Sequence, residues 1–414
     1  MDILVEKVDG GLWVAAMKDK ALYGIEIDPD LEGVRWGTIY WAKVARIDKS
    51  MDAAFLELGH GDQGILQARD YRALDKKGKI VKTEGQPLSK LLKAGDMVFV
   101  QAKSSTIPIE MQDDLTPDEH KLSRMSMDIA IPGRYVIFTP MTGERKISAR
   151  VKDKKIRESM MTMLNSVEEI EGCILRSAAA NVQTDVLKRE CKLLKKIWEQ
   201  LEAFKKGGIP ALIMEGPAAF QRVIGDYAAM AIDRIITCDE EEFAEVEEWC
   251  DIYAPDLVPK VVFEPLEEEE TSISLLDRYD ALTEVETLIQ PYYVLAGGGN
   301  IIIQATNALT AIDVNQSVSK SKKETNIEAA KEIARQLRLR NIGGAIVIDF
   351  INMPDKKSQD EVLKVLKQEI QLDPCTVDVH HFTALGFVEV TRMRRTPELT
   401  TSLQVAMALA NEPE

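Results

Sequence analysis

Two aspartates, one asparagine and a group of lysines and arginines have the types and spacing to do chemistry. NALTAIDVN places Asp313 and Asn315 at the end of a short apolar run, and GGAIVIDF ends at Asp349. Short runs rich in isoleucine and valine read as buried strands. Strands that each deliver one carboxylate to the same sheet edge can hold a hard divalent cation, because Mg²⁺ takes oxygen ligands and keeps several waters. Such an ion polarises a phosphate, activates a water and stabilises a leaving oxygen. The spacing leaves a second reading open, in which aspartates at strand ends are caps or ion-pair partners.

Between the two aspartates lies a basic amphipathic stretch. From Asp313 to Arg340 there are seven basic and four acidic residues. Lys320, Lys322 and Lys323 are expected in the loop after Asp313, and Arg335, Arg338 and Arg340 at the end of a helix. That helix is predicted to start at the capping-box pattern Thr325-Asn326-Ile327-Glu328 and to stop near Asn341 and Gly343-Gly344. The arginines compensate the helix dipole, and the group also places cations where a phosphodiester needs them. Elsewhere, Arg176-Ser177 sets a guanidinium fork beside a hydroxyl, which suits a terminal phosphate. The bland alternative is a surface arginine. Phe55 alternates out of phase with Leu56 and Leu58, so it is either core or a surface on which a base stacks. His380 and His381 are neighbours on a predicted strand and face opposite ways, so they are expected to be structural.

Composition bounds the classes. The chain has 414 residues, too many for one core, so three or four domains are expected. The N-terminus carries early acidic residues and no apolar core, so no signal peptide is expected. The charge-free stretch from Thr287 to Ile312 contains Pro291 and three consecutive glycines, so no membrane span is expected. Five scattered cysteines without a CxxC argue against structural zinc and for reduced thiols in a cytoplasmic protein. The net charge of −16 looks wrong for a nucleic-acid binder until it is located. Residues 239–270 hold 14 acidic and one basic side chain, a net of −13, so the rest carries only −3. The acidity is therefore a local block, read as a solvated face or as a surface for a basic partner.

The order of elements suggests an α/β multidomain chain. Residues 1–36 read as three short strands that join a sheet completed by residues 207–280. Residues 37–128 read as a five-stranded OB-fold barrel, with a polar insertion at 104–122. Residues 129–206 mix short strands with a long amphipathic helix, and 281–414 form the last domain, with a fraying tail.

ALTAIDVNQS, TNIEAAKEIARQLRLRNIGGAIVIDFINM and their flanking order closely resemble the ribonuclease E/ribonuclease G family over nearly the whole chain. The resemblance implies an RNase H-like domain (1–36 plus 207–280) with an inserted OB-fold RNA-binding domain (37–128) and 5′-sensor region (129–206). A DNase I-like catalytic domain (281–414) would follow. It implies a Mg²⁺-dependent endoribonuclease, with Mn²⁺ as a substitute, that cuts single-stranded RNA in processing and decay and senses a 5′-monophosphate. Asp313 and Asp349 match the metal-binding aspartates, and Asn315 the asparagine that assists them. Arg176 and Ser177 match the Arg-Thr pair of the sensor, and Phe55 and Lys121 match RNA contacts. Lys320, Arg335 and Arg338 are further expected RNA contacts.

This chain departs from the family at four places. Ile65 stands where a second barrel aromatic is usual, Asn352 stands where the family has FIDM, the loop from Ser317 to Thr325 is short, and no CPxC zinc link is present. A homodimer is compatible with this pattern, and a zinc-linked tetramer is not expected. The alternative is a catalytically weak RNA-binding or regulatory relative.

Overall fold

Short apolar runs at the N-terminus, buried on both faces at Ile3-Leu4-Val5 and Val14-Ala15-Ala16-Met17, build three antiparallel strands, Asp2–Val8, Gly11–Lys18 and Ala21–Pro29. The edge of the first is then extended by segments from far along the chain. Asp2–Val8 pairs in parallel with Arg234–Thr237, which pairs in parallel with Val261–Phe263. The computed structural model describes all residues except 9, 32, 75–79, 82–84, 108–110, 112–121, 205–206, 267–272, 317–319 and 411–414. It divides into two compact units. The first comprises Met1–Leu31, Asp233–Ala244 and Lys260–Glu414, and the second Glu32–Ile232 and Glu245–Pro259.

The first unit contains a second, six-stranded sheet. Its order is Tyr292–Val294, Asn300–Ala305, Thr310–Asn315, Gly344–Asp349, Val388–Met393 and Thr376–Phe382. Every neighbouring pair is antiparallel except Thr310–Asn315 with Gly344–Asp349. A parallel pair needs a crossover, and the helix Lys322–Leu339 provides it. That helix and Lys356–Ile370 bury one sheet face in a core that includes Ile312, Val314, Ile346 and Ile348. The other sheet face is left for polar side chains.

The central helix begins earlier than its sequence suggests. Ser321, not Thr325, is the N-cap, and its hydroxyl accepts from the Glu324 amide while the Glu324 carboxylate accepts from the Ser321 amide. Lys322 and Lys323 therefore lie in the first helical turn and not in a loop. The stop is as expected. Asn341 adopts a left-handed φ of 51°, the Ile342 amide donates to the Leu337 carbonyl at 3.1 Å and the Asn341 amide to Arg338 at 3.2 Å. This is a Schellman closure with asparagine in the place usually taken by glycine.

Three further expectations are corrected in this unit. LLDRYDALTEVETLIQ forms two helices, Leu275–Arg278 and Ala281–Leu288, because Asp280 takes a left-handed φ of 59°. The C-terminal tail does not fray over its described length. Leu399–Ala410 is a helix whose Leu399, Leu403 and Ala406 enter the core of the N-terminal sheet. His380 and His381 do not alternate, since a register shift between Val379 and Phe382 leaves both exposed.

In the second unit, strands Ile39–Asp48, Ala53–Gly59, Asp62–Gln67, Ser123–Ser126 and Met97–Ala102 close into a barrel through pairing of the first with the last. Leu56, Leu58, Leu66 and Met125 fill it. Ala211–Met214, expected to help complete the N-terminal sheet, instead pairs with Ile39–Asp48. Its exposed Leu212 and half-buried neighbours suit an edge strand. A four-stranded sheet of Ile131–Pro132, Val136–Phe138, Cys173–Leu175 and Arg145–Ile147 packs against helices Lys154–Asn165 and Thr184–Ala203.

Candidate active site

The parallel pair brings the two aspartates together. Asp313 and Asp349 are direct register partners, and adjacent strands lie about 4.8 Å apart with partner side chains on the same face. Ile312, Val314, Ile346 and Ile348 turn into the core, so Asp313 and Asp349 turn outward and are exposed. Partial desolvation and the facing Asp313 charge both raise the Asp349 pKa from its ordinary value. Asn315, two residues beyond Asp313, donates its side-chain amide to Asp313 Oδ2 and to Asn300 Oδ1, each at 3.1 Å. It fixes the Asp313 carboxylate against the next strand.

One positioning residue escapes the sequence pattern. Asn326 is fully buried in the central helix. Its amide donates to the Ile351 carbonyl at 2.7 Å and its oxygen accepts from the Ile351 amide at 3.0 Å. This clamp fixes the backbone just after Asp349. Read as part of a capping box, Asn326 gave no sign of that role; a buried asparagine on the core face of a helix is the signal that was available.

The cations distribute differently from the sequence expectation. Lys320 pairs with Glu328 at 2.8 Å, and Lys323 with Glu361 at 2.5 Å. Arg335 pairs with Glu284 at 2.5 Å and Glu332 at 3.0 Å. Arg338 is buried, donates to the Tyr23 carbonyl at 3.1 Å and stacks 4.5 Å from the Tyr23 ring centroid. Arg340 is also buried, and burial lowers its pKa to about 10. Arg335 and Arg338, both expected to contact RNA, are thus held in contacts within the protein. Arg338 is turned into the protein and Arg335 is half-buried, and their guanidinium groups hold the helix to its neighbours. Asn352 is exposed just past the clamp.

In the second unit, Arg176 leads from a strand into the short helical turn Ser177–Asn181. Its guanidinium donates to the Gly225 carbonyl at 2.6 Å and the Gly133 carbonyl at 3.2 Å, and lies 3.6 Å from Asp226. The Gly133 turn is held from below by buried Glu190, whose carboxylate accepts from the Arg134 and Tyr135 amides. A Cβ at Gly133 would come within 2.6 Å of Glu190 Oε1, so a side chain there would displace the carboxylate. Ser177 is half-buried beside Arg176. On the barrel, Phe55 points outward and is half-buried beneath Arg46, whose Cζ lies 3.5 Å from the ring centroid. Lys121 lies outside the described residues, as does most of the 104–122 insertion.

No helix among the described residues is long and apolar enough to cross a membrane. Among them, no group of three or more His, Cys, Asp or Glu side chains is arranged to hold a metal. The Asp313–Asp349 site is thus a two-carboxylate site. Such a site suits an ion that keeps most of its waters and not a fully protein-caged one.

A model of the ribonuclease E/G family matches residues 130–395. Ribonuclease G of Salmonella typhimurium strain SL1344 is 30% identical over 408 residues, covering 95% of this chain and 80% of the relative. Ribonuclease G of Haemophilus influenzae is 27% identical over 406 residues, covering 95% and 79%. Ribonuclease E of Synechocystis is 30% identical over 370 residues, covering 87% of this chain and 52% of the relative. With the family model spanning well over half the sequence, and a relative of this identity matched along most of both chains, the chain belongs to the ribonuclease E/G family.

Proposed function

We propose that this protein hydrolyses phosphodiester bonds within single-stranded RNA with Mg²⁺, or Mn²⁺ in its place, held by Asp313 and Asp349. That it is an endoribonuclease follows from its family. The metal reading rests on one observation, the register pairing of the two aspartates on parallel strands. The donor set fits the ion. Two like charges face one another, no cation among the described residues pairs with either, and the resulting repulsion is what a divalent ion relieves. When bound, the ion supplies Lewis-acid polarisation of the phosphate and a lowered pKa for an attacking water.

The chain's own groups orient this chemistry. Asn315 holds the Asp313 carboxylate in place, and Asn326 fixes the backbone that follows Asp349. Lys320, beside Glu328, is the described lysine of this loop and is assigned to a flanking phosphate. Sensing of a 5′-monophosphate is assigned to Arg176 and Ser177. Its support is that two backbone carbonyls fix the guanidinium beside the hydroxyl. The RNase H-like and DNase I-like assignments of the two sheets of the first unit belong to the same proposal. So do a role in RNA processing and decay and action in the cytoplasm.

The test compares 5′-monophosphate and 5′-hydroxyl single-stranded RNA, with and without Mg²⁺. Cleavage should require the ion and fall on the order of 10³-fold in Asp313→Asn and Asp349→Asn. Cleavage that survives in Asp313→Asn overturns the site. A 5′-phosphate preference that survives Arg176→Ala overturns the sensor. RNA binding without cleavage by the wild type would instead establish the catalytically weak relative.

A further inference from the structure

One row of the barrel's outer face crosses four strands in register. Arg46 pairs with Phe55, Phe55 with Ile65, and Ile65 with Arg124. Their strand neighbours Leu56, Leu66 and Met125 fill the barrel, so this row faces out. Both ends of the row are flat cations. At one end the Arg46 guanidinium lies over the Phe55 ring at 3.5 Å. At the other, Arg124 meets Asp70 side on, Nε to Oδ2 at 2.9 Å and Nη2 to Oδ1 at 3.1 Å. The Asp70 side chain is only 12% exposed, whereas that of Arg124 is 36% exposed.

A bidentate fork of this kind fixes the guanidinium plane while using two of its five N–H donors. The flat group is thereby held in one orientation. A guanidinium face stacks on π-systems, and every nucleobase has one.

We infer that Arg124, held flat by Asp70 beside Ile65, is a stacking platform for an unpaired base of single-stranded RNA, paired across the row with the Arg46–Phe55 stack. The inference deepens the proposed single-stranded RNA reading and rests on it. Ile65 supplies only an apolar floor, so the planar surface at that end comes from the arginine. A stacked base is read by its presence and not its identity, since every base has a π-face.

The test measures binding of a fluorescein-labelled single-stranded RNA, and of the same RNA with abasic sites, by anisotropy in EDTA across a salt series. Arg124→Ala should weaken binding of the intact RNA about 5- to 50-fold, shrink the difference between intact and abasic RNA, and leave the salt slope unchanged. Arg124→Lys should not rescue, since an ammonium has no plane. Ile65→Phe, which leaves the Arg124–Asp70 pair untouched, should tighten binding of intact RNA only. It keeps the question answerable if loss of Arg124 unfolds the barrel by stranding Asp70. An Arg124→Ala salt slope reduced by about one would mark a phosphate contact and overturn the platform. So would wild-type-like binding by Arg124→Lys, or no gain from Ile65→Phe. Wild-type protein that binds neither RNA would overturn the single-stranded RNA reading itself.

Discussion

The arginines of the central helix and those of the barrel look alike in sequence and behave in opposite ways. Arg338 and Arg340 are buried, and Arg335 is fastened to two glutamates. Arg46 and Arg124 lie on an outward row with a guanidinium face over a ring or beside an aliphatic floor. The difference follows from period. A helix that crosses over a sheet must turn a wide stripe inward, and the arginines of its last turns fall on that stripe. A barrel strand turns every second residue outward, so its arginines reach solvent whatever the core demands. Counting basic residues near a site therefore says little about which of them can meet a phosphate or a base.

The largest effect that sharpens this contrast concerns an interior arginine. Arg392 and Asp373 are 1% and 2% exposed and joined by two contacts at 2.9 and 3.2 Å, with Arg392 also donating to Asn341 at 2.8 Å. Arg392→Met should cost about 3–5 kcal/mol by stranding a buried carboxylate, read as a lower midpoint in urea. Next, Arg338→Ala should lose about 1–3 kcal/mol of stability through its contacts with Tyr23, with KM for RNA unchanged. A raised KM at native stability would break the contrast. Arg46→Ala should do the reverse, weakening RNA binding about fivefold while stability stays within about 0.5 kcal/mol.

A pH profile tests the buried carboxylate under the Gly133 turn. Burial raises the Glu190 pKa to about 7 against the opposing pull of the Tyr135, Arg134 and Val136 amides. The folded state then holds its proton more tightly than the unfolded chain. Stability should fall as pH rises from the ordinary glutamate range to about 7 and level off above it. Glu190→Gln should remove that slope, and an unchanged slope would show the group is not the cause. The smallest effect is at the helix start, where Ser321→Ala should cost about 1 kcal/mol, whereas Thr325→Val should leave the cap intact.

Much of the site was legible because it depends on short-range pattern. Apolar runs ending in Asp313 and Asp349 announce strands, and a single helix between them makes the strands parallel. What the pattern could not give was register, which places the two carboxylates opposite one another and not staggered. The helix start was misread because Thr325-Asn326-Ile327-Glu328 and Ser321-Lys322-Lys323-Glu324 both fit a capping box. The choice between them is made by burial of Thr325 and Asn326 against the sheet. Ala211–Met214 was misplaced for a related reason. A short strand carries no mark of which sheet it will extend, and its partner Ile39–Asp48 lies far away in sequence. The barrel's fifth strand, Ser123–Ser126, is short and polar, and only its pairing with Asp62–Gln67 and Met97–Ala102 identifies it.

The most direct test of the paired carboxylates is a titration of Mn²⁺ into the full chain, with unbound ion read by electron paramagnetic resonance. One ion should bind per chain, and both Asp313→Asn and Asp349→Asn should abolish it while Arg338→Ala keeps it. Affinity should fall with decreasing pH sooner than for ordinary carboxylates, because burial and the facing Asp313 raise the Asp349 pKa and protons compete for the site. A bound ion that survives both aspartate substitutions, in a wild type that still cleaves RNA, would contradict the assignment.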